Sequence, residues 1–344
     1  MAFDDSASGE IIDQVIGIEA RPNGLPTVHP LYEAARELGD EAMTYSAATA
    51  LLDAVEPGDT VLITYGANVP PWYPRGETDG PYGAAALART LALTAGVRPV
   101  IATEERNADA MKPVLRSIGL DAVSVETLYE RNHAAAVVPY TEDADEAESE
   151  AAAVLDRHDP QALVAVEKLG PTRDGTVRSL IGADRSANHA KLGPLFDRAR
   201  EEGRLTVGFG DGGNEIGMAK IRDAVVEHIP AGEEICTRIE TDELIVGGSS
   251  NLGAYGVAAM IAVLERDPDA FHTPADERRM LDAGMTAGIA DGLTTRPTAT
   301  VDGMNRDSLE GIVAVLNNII ENRTSEINRE VREYGDIDEP VEDA

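Results

Sequence analysis

The sequence predicts an α/β fold: a mainly parallel sheet with helices on both faces and active-site loops at the C-terminal ends of the strands. Three observations carry this expectation. Short β-branched runs alternate with longer helical patterns, as βαβ units require. The 344 residues are 43% hydrophobic, enough for a sizeable core and unlike a disordered acidic chain. Glycine-rich polar motifs fall directly after the predicted strands, where open parallel sheets bind their ligands.

The strands are expected at residues 60–65 (TVLITY), 98–103 (RPVIAT), 163–166 (LVAV), 205–209 (LTVGF) and 243–246 (ELIV). Helical patterns fill residues 31–55, 82–95, 108–118, 188–202, 215–228 and 252–266. The acidic run 141–150 (TEDADEAESE) continues into Ala151 and Leu155 and reads as a solvated helix start. A last helix is expected from Ser308 to about Val331, opened by Asp307-Ser308-Leu309-Glu310, which resembles a capping box. Its apolar stripe includes Leu309, Ile312, Val313, Leu316, Ile319, Ile320, Ile327 and Val331. Spacing alone leaves open whether that stripe packs on the sheet or on a second subunit in a homo-oligomer. The chain reads as one α/β domain over residues 10–334, with an acidic loose tail at 335–344.

Charge narrows the partners. There are 62 Asp and Glu against 29 Lys and Arg, a net −33, and only four of the basic residues are lysine. Such a surface disfavours nucleic acid and anionic membranes, both of which need a basic footprint. Few lysines and many acids on a foldable chain point to a surface adapted to high salt, which screens the self-repulsion. The N-terminus has neither a basic n-region nor an apolar h-region, and the most apolar stretch, residues 257–264, is too short to span a bilayer. A soluble cytoplasmic protein is expected. The single cysteine, Cys236, sits in a strand-like stretch and reads as a small buried apolar residue.

The chemistry-bearing residues follow the strands. Gly208-x-Gly210-x-x-Gly213 lies between a strand and a helix, as a dinucleotide fingerprint must. Asp211 inside that loop would repel a pyrophosphate, and the motif lies past the middle of the chain, so a plain NAD site is disfavoured. The acids suggest a metal instead. Asp211, Asn214 and Glu215 offer hard oxygen ligands within five residues; Glu77 with Asp79, Glu167 with Asp174, and the Asp-Gly turns at Asp291 and Asp302 add more. Oxygen donors of this kind suit Mg²⁺, Mn²⁺ or Ca²⁺. The competing reading is that Asp-Gly pairs are simply turn signals. Arg173, Arg178, Arg185 and Lys168 flank the loop after the third strand and offer a grip on a small anionic metabolite. No His-x-x-x-His pair and no Gly-x-Ser-x-Gly elbow are present.

Taken together, Glu77-Thr78-Asp79-Gly80-Pro81-x-Gly83-Ala84, Glu167-x-x-Gly170-Pro171, Asp174-Gly175 and Gly210-Asp211-Gly212-Gly213-Asn214-Glu215-Ile216-Gly217-Met218 resemble the D-glutamate cyclase C-terminal-domain family, in its stand-alone archaeal form. Ser250-Asn251-x-Gly253 and the pair Asp291-Gly292 and Asp302-Gly303 are similar to that family too, and the likeness runs from about residue 10 to 330. Where the family usually has Glu-Arg-Pro-Gly, this chain has Glu167-Lys168-Leu169-Gly170, and Thr176-Val177 replaces a frequent aromatic pair. The family's cyclase members carry an additional N-terminal domain with no counterpart in this sequence.

The resemblance implies one of two activities: conversion of D-glutamate to 5-oxo-D-proline with loss of water, or a manganese-dependent phosphatase acting on a small phosphorylated metabolite. A ligand-binding protein without turnover is the third possibility. The expected cofactor is a divalent cation, Mn²⁺ or Mg²⁺. On this reading Glu77, Asp79, Asp211, Asn214, Asp291 and Asp302 are candidate metal ligands. Glu215 and Glu167 are candidate bases, with Arg173 and Arg178 gripping the substrate. Asp174, Gly212, Gly213, Ser250 and Asn251 are candidate substrate contacts.

Overall fold

The computed structural model describes residues 5–20 and 27–324. Seven parallel strands form one sheet: β1 Thr60–Tyr65, β2 Arg98–Thr103, β3 Asp121–Val123, β4 Ala134–Pro139, β5 Pro160–Val166, β6 Leu205–Gly210 and β7 Glu243–Val246. Their order is β3-β4-β2-β1-β5-β6-β7. A small antiparallel pair, β8 Thr300–Val301 and β9 Met304–Asn305, lies apart from it. This is the expected α/β class.

The central strands are buried along their whole length, and the alternation within them divides the core in two. Val61, Ile63, Val164 and Val166 face the larger cluster, which takes in the helices Met43–Ala54, Pro81–Thr94 and Ser250–Leu264. Leu62, Leu163 and Ala165 face the smaller one, under the helices Ala147–His158 and Gly193–Glu201. A period of two on strands covered on both faces requires apolar residues at every position, which TVLITY and LVAV supply.

All five expected strands are present; β3 and β4 are additional. The sequence of β3 is three half-buried residues, and that of β4 opens on three alanines and ends on Pro139. Neither carries the β-branched density that marks a strand.

Several helices differ from their expected bounds. The 31–55 pattern is two helices, His29–Arg36 and Met43–Ala54. The second is capped from a distance. Asp13 on the helix Ser6–Ile16 accepts the Met43 and Thr44 N–H groups at 2.8 and 3.1 Å and the Thr44 hydroxyl at 2.6 Å. Residues 188–202 become helical only from Gly193, and 215–228 only from Arg222. The acidic run turns before its helix starts at Ala147. Cys236 is buried as expected, but it follows a short helix, Gly232–Ile235, rather than lying in a strand.

The final helix is Arg306–Thr324, and its cap is Asn305, whose side chain accepts the Ser308 N–H at 3.0 Å. Glu310 turns outward to Arg278 instead of closing a capping box. Leu309, Ile312, Val313, Leu316 and Ile320 are buried in the larger core, so this part of the stripe packs within the chain. The expected continuation to Val331 and the tail lie outside the described residues. No helix among the described residues is long and apolar enough to cross a membrane.

The helices Pro81–Thr94 and Ser250–Leu264 cross so closely that a Cβ on Gly83 would stand 2.9 Å from both the Cβ of Ala254 and the Cα of Asn251. Asn251 holds them in place. Its Oδ1 accepts the Gly80 and Gly83 N–H groups at 2.9 and 2.7 Å, and its Nδ2 donates to the Thr78 carbonyl at 2.8 Å. Asn251→Ala would strand the Gly83 N–H and the Thr78 carbonyl, each costing about 1–3 kcal/mol, and leave Gly80 N–H with Asp79 alone. A loss of roughly 2–4 kcal/mol in urea unfolding is expected; a change below about 0.5 kcal/mol would contradict this role.

Candidate metal centre

Because the strands are parallel, the chain segments leaving β1, β5, β6 and β7 emerge at one edge of the sheet. They bring Glu77 and Asp79, Glu167, Asp211 to Glu215, and Ser250 with Asn251 to one place. The segment before β8 and the β8–β9 turn contribute Asp291 and Asp302. The resulting cavity, about 150 Å³, has Glu77, Glu167, Asp211, Asn214, Glu215 and Asp302 among its walls.

One carboxylate oxygen from each of Asp79, Glu167 and Asp211 lies within 4.8 Å of the others, and all three residues are buried; Glu167 and Asp211 line the cavity, and Asp79 stands beside them outside its wall. Asp79 is locked in place. Its Oδ1 accepts the Asn251 and Gly80 N–H groups at 2.7 and 3.1 Å, and its Oδ2 accepts Ser250 N–H at 2.8 Å. The last helix of the sheet region therefore starts on a carboxylate, as the helix dipole favours. Glu167 holds a left-handed backbone, φ +54°, with its N–H on the Phe209 carbonyl and its Oε2 receiving the Ser250 hydroxyl at 2.6 Å. Asp302 is left-handed as well, φ +49°. Non-glycine residues in this region are strained, and strain of this kind collects at functional sites.

Burial pushes the acid dissociation of Glu77, Asp79 and Glu167 well above the usual carboxylate range, and the neighbouring acids push it further. For Glu77 the strongest neighbour is Asp302; for Glu167 it is Asp211. Hard oxygen donors, packed this closely and mutually repelling, are the donor set that a divalent cation satisfies. The residues present fit a divalent cation.

Glu215 plays a different part. Its carboxylate turns back and accepts the N–H groups of Asp211 and Gly212 on Oε1, at 3.2 and 2.7 Å, and of Gly213 on Oε2, at 2.7 Å. Burial nonetheless raises it to about 7, with Asp211 adding to the effect. These are the amides that would cradle a phosphate in a dinucleotide loop. The glycines of that motif serve close packing instead. A Cβ on Gly213, at φ +103°, would meet Val225 at 2.5 Å, and one on Gly208 would strike the Ile216 carbonyl.

The other expected site residues divide. Asp291 is taken up by the segment carrying Asp302, accepting Leu293 and Thr294 N–H at 3.2 and 2.7 Å, the Thr300 hydroxyl at 2.9 Å and Gly303 N–H at 3.2 Å. Asn214 lines the cavity while its Nδ2 donates to the Arg178 carbonyl at 2.7 Å. Asp174 is exposed, and hydrogen bonds from Thr172 and Thr176 hold its carboxyl far below the usual range. Arg178 pairs with it at 3.1 Å, and Arg173 is exposed; all three line a separate surface hollow beside Glu233 and Cys236. Gly212, Gly213, Ser250 and Asn251 spend the polar groups named above on Glu215, Asp79 and Glu167.

Two features were not anticipated from the sequence. Tyr73 lines the cavity, and burial followed by Glu77 raises its phenol. Behind Glu167, the fully buried Lys168 pairs with Glu104 at 2.5 Å. Although burial opposes it, Lys168 together with His189 and the Ala190 N–H holds Glu104 at about 2. His189 is kept neutral, lowered to about 4 by burial and then by Lys168. It donates from Nδ1 to the Arg185 carbonyl at 2.9 Å and accepts Asn68 N–H on Nε2 at 3.2 Å.

The profile of the D-glutamate cyclase-like, C-terminal family matches residues 27–317. The chain belongs to this family. Human mitochondrial D-glutamate cyclase is 31% identical over 198 residues, covering 56% of this chain and 30% of that protein. The chain thus matches less than a third of the length of this cyclase relative. The loops that share the cavity, from Glu77 to Asp302, all lie inside the family match.

Two outcomes are expected. Glu77, Asp79, Glu167 and Glu215 bind protons more tightly folded than unfolded, so the metal-free protein loses stability as pH rises above about 4.5, for Glu215 until about 7. His189, between about 4 and 6.5, and His158 work the opposite way, but the raised carboxyls, Asp13 and Glu243 among them, outnumber them. With about 1 M salt and a chelator to remove surface repulsion and metal, the melting temperature should be higher near pH 5 than near pH 7.5, and Mn²⁺ should raise it mainly at the higher pH. A chelated protein that melts higher at pH 7.5 contradicts this balance. Separately, Lys168→Met leaves Glu104 buried without its partner and should cost about 3–5 kcal/mol, read by chemical denaturation; a neutral result would show that the pair is dispensable.

Proposed function

We propose that the chain is a divalent-metal-dependent enzyme that closes D-glutamate to 5-oxo-D-proline with loss of water. The observation that carries this reading is the buried set Asp79, Glu167 and Asp211, two of which line a small cavity, in a chain of the D-glutamate cyclase-like family. Those three residues would hold Mn²⁺ or Mg²⁺. Bound there, the ion supplies Lewis acidity toward the γ-carboxylate of the substrate.

The remaining side chains supply proton transfer and exclude water. Cyclisation requires the substrate ammonium to lose a proton before its nitrogen bonds to the γ-carbon. Glu77 lines the cavity and lies outside the triad, and burial raises its carboxyl above the usual carboxylate range, the direction that strengthens a carboxylate as a general base. It accepts that proton and returns it to the departing γ-oxygen. The two hydrogens lost by the ammonium leave with that oxygen as water, so atoms and charge balance. Glu215 is less suited to the task, because both its oxygens are held by backbone amides. Ser250 keeps the Glu167 carboxylate aimed inward.

The test is incubation of the Mn²⁺-loaded protein with D-glutamate, with 5-oxo-D-proline followed by chiral chromatography. Turnover should fall about 10³-fold in Asp211→Asn and in Asp79→Asn, with bound metal lost in parallel in elemental analysis. Unchanged D-glutamate after long incubation, together with phosphate release from small phosphate esters, would assign the cavity to a metal-dependent phosphatase instead. A bound metal with neither reaction would mark a binding protein.

A further inference from the structure

A cavity with this many carboxylates needs a positive group to admit an anion. Of the three arginines flagged by the sequence, two lie elsewhere, Arg178 on Asp174 and Arg173 exposed at the neighbouring hollow. We propose that Arg185 is the residue that receives the oxyanion of the substrate at the mouth of the acidic cavity. This rests on the reading of that cavity as the substrate site.

Four observations support the assignment. First, Arg185 belongs to the strip that roofs the cavity. Residues 177–185 double back on themselves, with Arg185 N–H on the Val177 carbonyl at 2.7 Å and Ser179 N–H on the Ala183 carbonyl at 2.9 Å. Ser179 and Leu180, in the bend of that strip, are cavity walls. Second, its backbone is pinned. The Arg185 carbonyl accepts from the buried His189, whose other nitrogen accepts from Asn68 in the segment that leads to Tyr73. Third, its charge reaches the cavity. Arg185 is the main group that favours ionisation of the Tyr73 hydroxyl, and its influence there exceeds that of Glu167 and Asp302, both of them cavity walls. Fourth, its guanidinium is uncommitted. Nε is buried and makes no hydrogen bond, and among the described residues no acid pairs with Arg185, although the chain has 62 of them. A guanidinium held near a closed set of carboxylates and paired with none of them is placed to bind an anion brought from outside.

The ligand class is a small oxyanion, either the α-carboxylate of an amino acid or a phosphate. The Mn²⁺-loaded full chain is titrated calorimetrically with D-glutamate, with its α-amide D-isoglutamine and with inorganic phosphate. Wild type should bind D-glutamate more tightly than the α-amide. Arg185→Gln should weaken D-glutamate by roughly 10- to 100-fold and abolish the preference over the amide. Bound metal and melting temperature should stay as in wild type, and Arg185→Lys should restore part of the affinity.

Arg185-dependent binding of phosphate but not of D-glutamate would keep the proposal and overturn the cyclase reading. Equal D-glutamate affinity in wild type and Arg185→Gln would overturn the proposal and leave the cyclase reading intact. A wild type that binds neither oxyanion overturns the proposal whatever its turnover, and so does an Arg185→Gln protein that loses its metal or its fold.

Discussion

Asp79 joins the scaffold to the chemistry. Its carboxylate is fixed by backbone amides at the start of the helix Ser250–Leu264, while the adjacent Asn251 fixes the start of Pro81–Thr94. The two helices approach closely because Gly83 and Ala254 leave room. This exchange sets the separation of the segments after β1 and β7, and with it the place of one corner of the acidic triad. The other corners leave the ends of β5 and β6, where Val166 and Phe209 are in register, and Glu167 is further held by the Ser250 hydroxyl. A metal centre built this way draws its geometry from the rigid sheet edge rather than from loop conformations.

The cost of such a centre is visible in the acids themselves. Glu77, Asp79, Glu167 and Glu215 are all driven toward the protonated form by burial before any neighbour acts. Two of the residues involved, Glu167 and Asp302, also adopt left-handed backbones that most side chains avoid. The network of Lys168, Glu104 and His189 directly behind Glu167 supplies the rigidity that holds such a conformation. Within that network Glu104 itself is well satisfied: it accepts from Lys168 and Ala190 on one oxygen, and Thr103 and Asn107 lie 3.2 Å from the other.

Much of this was legible in the sequence, for definable reasons. TVLITY and LVAV announce strands covered on both faces, and acid-bearing glycine motifs after strands announce a pocket at their C-terminal ends. The family likeness rests on the same motifs. What the sequence concealed was direction. Asp291 and Asp302 stand in identical Asp-Gly contexts, yet one is consumed by its own turn and the other lines the cavity. Arg173, Arg178 and Arg185 lie within thirteen residues of one another, and the doubling back sets the Arg185 backbone beside Val177, a placement that spacing alone does not announce. Glu215 reads as the start of a helix, but the left-handed Gly217 interrupts the chain and frees the side chain to fold back. The two strands at the β3 end of the sheet were hidden, β3 by its three-residue length and β4 by its three alanines, whose propensity carries little β signal.

The folding back of Glu215 decides how the cavity meets anions. In loops of this outline the amides are ordinarily vacant and compete for phosphate from solution. Here the vacancy is filled permanently from within the chain, so an inhibitor that carried a phosphate to those amides would have to evict a covalently tethered rival. Selectivity between this site and nucleotide enzymes of similar loop sequence therefore comes from occupancy, and ligands directed at it gain nothing from mimicking a pyrophosphate.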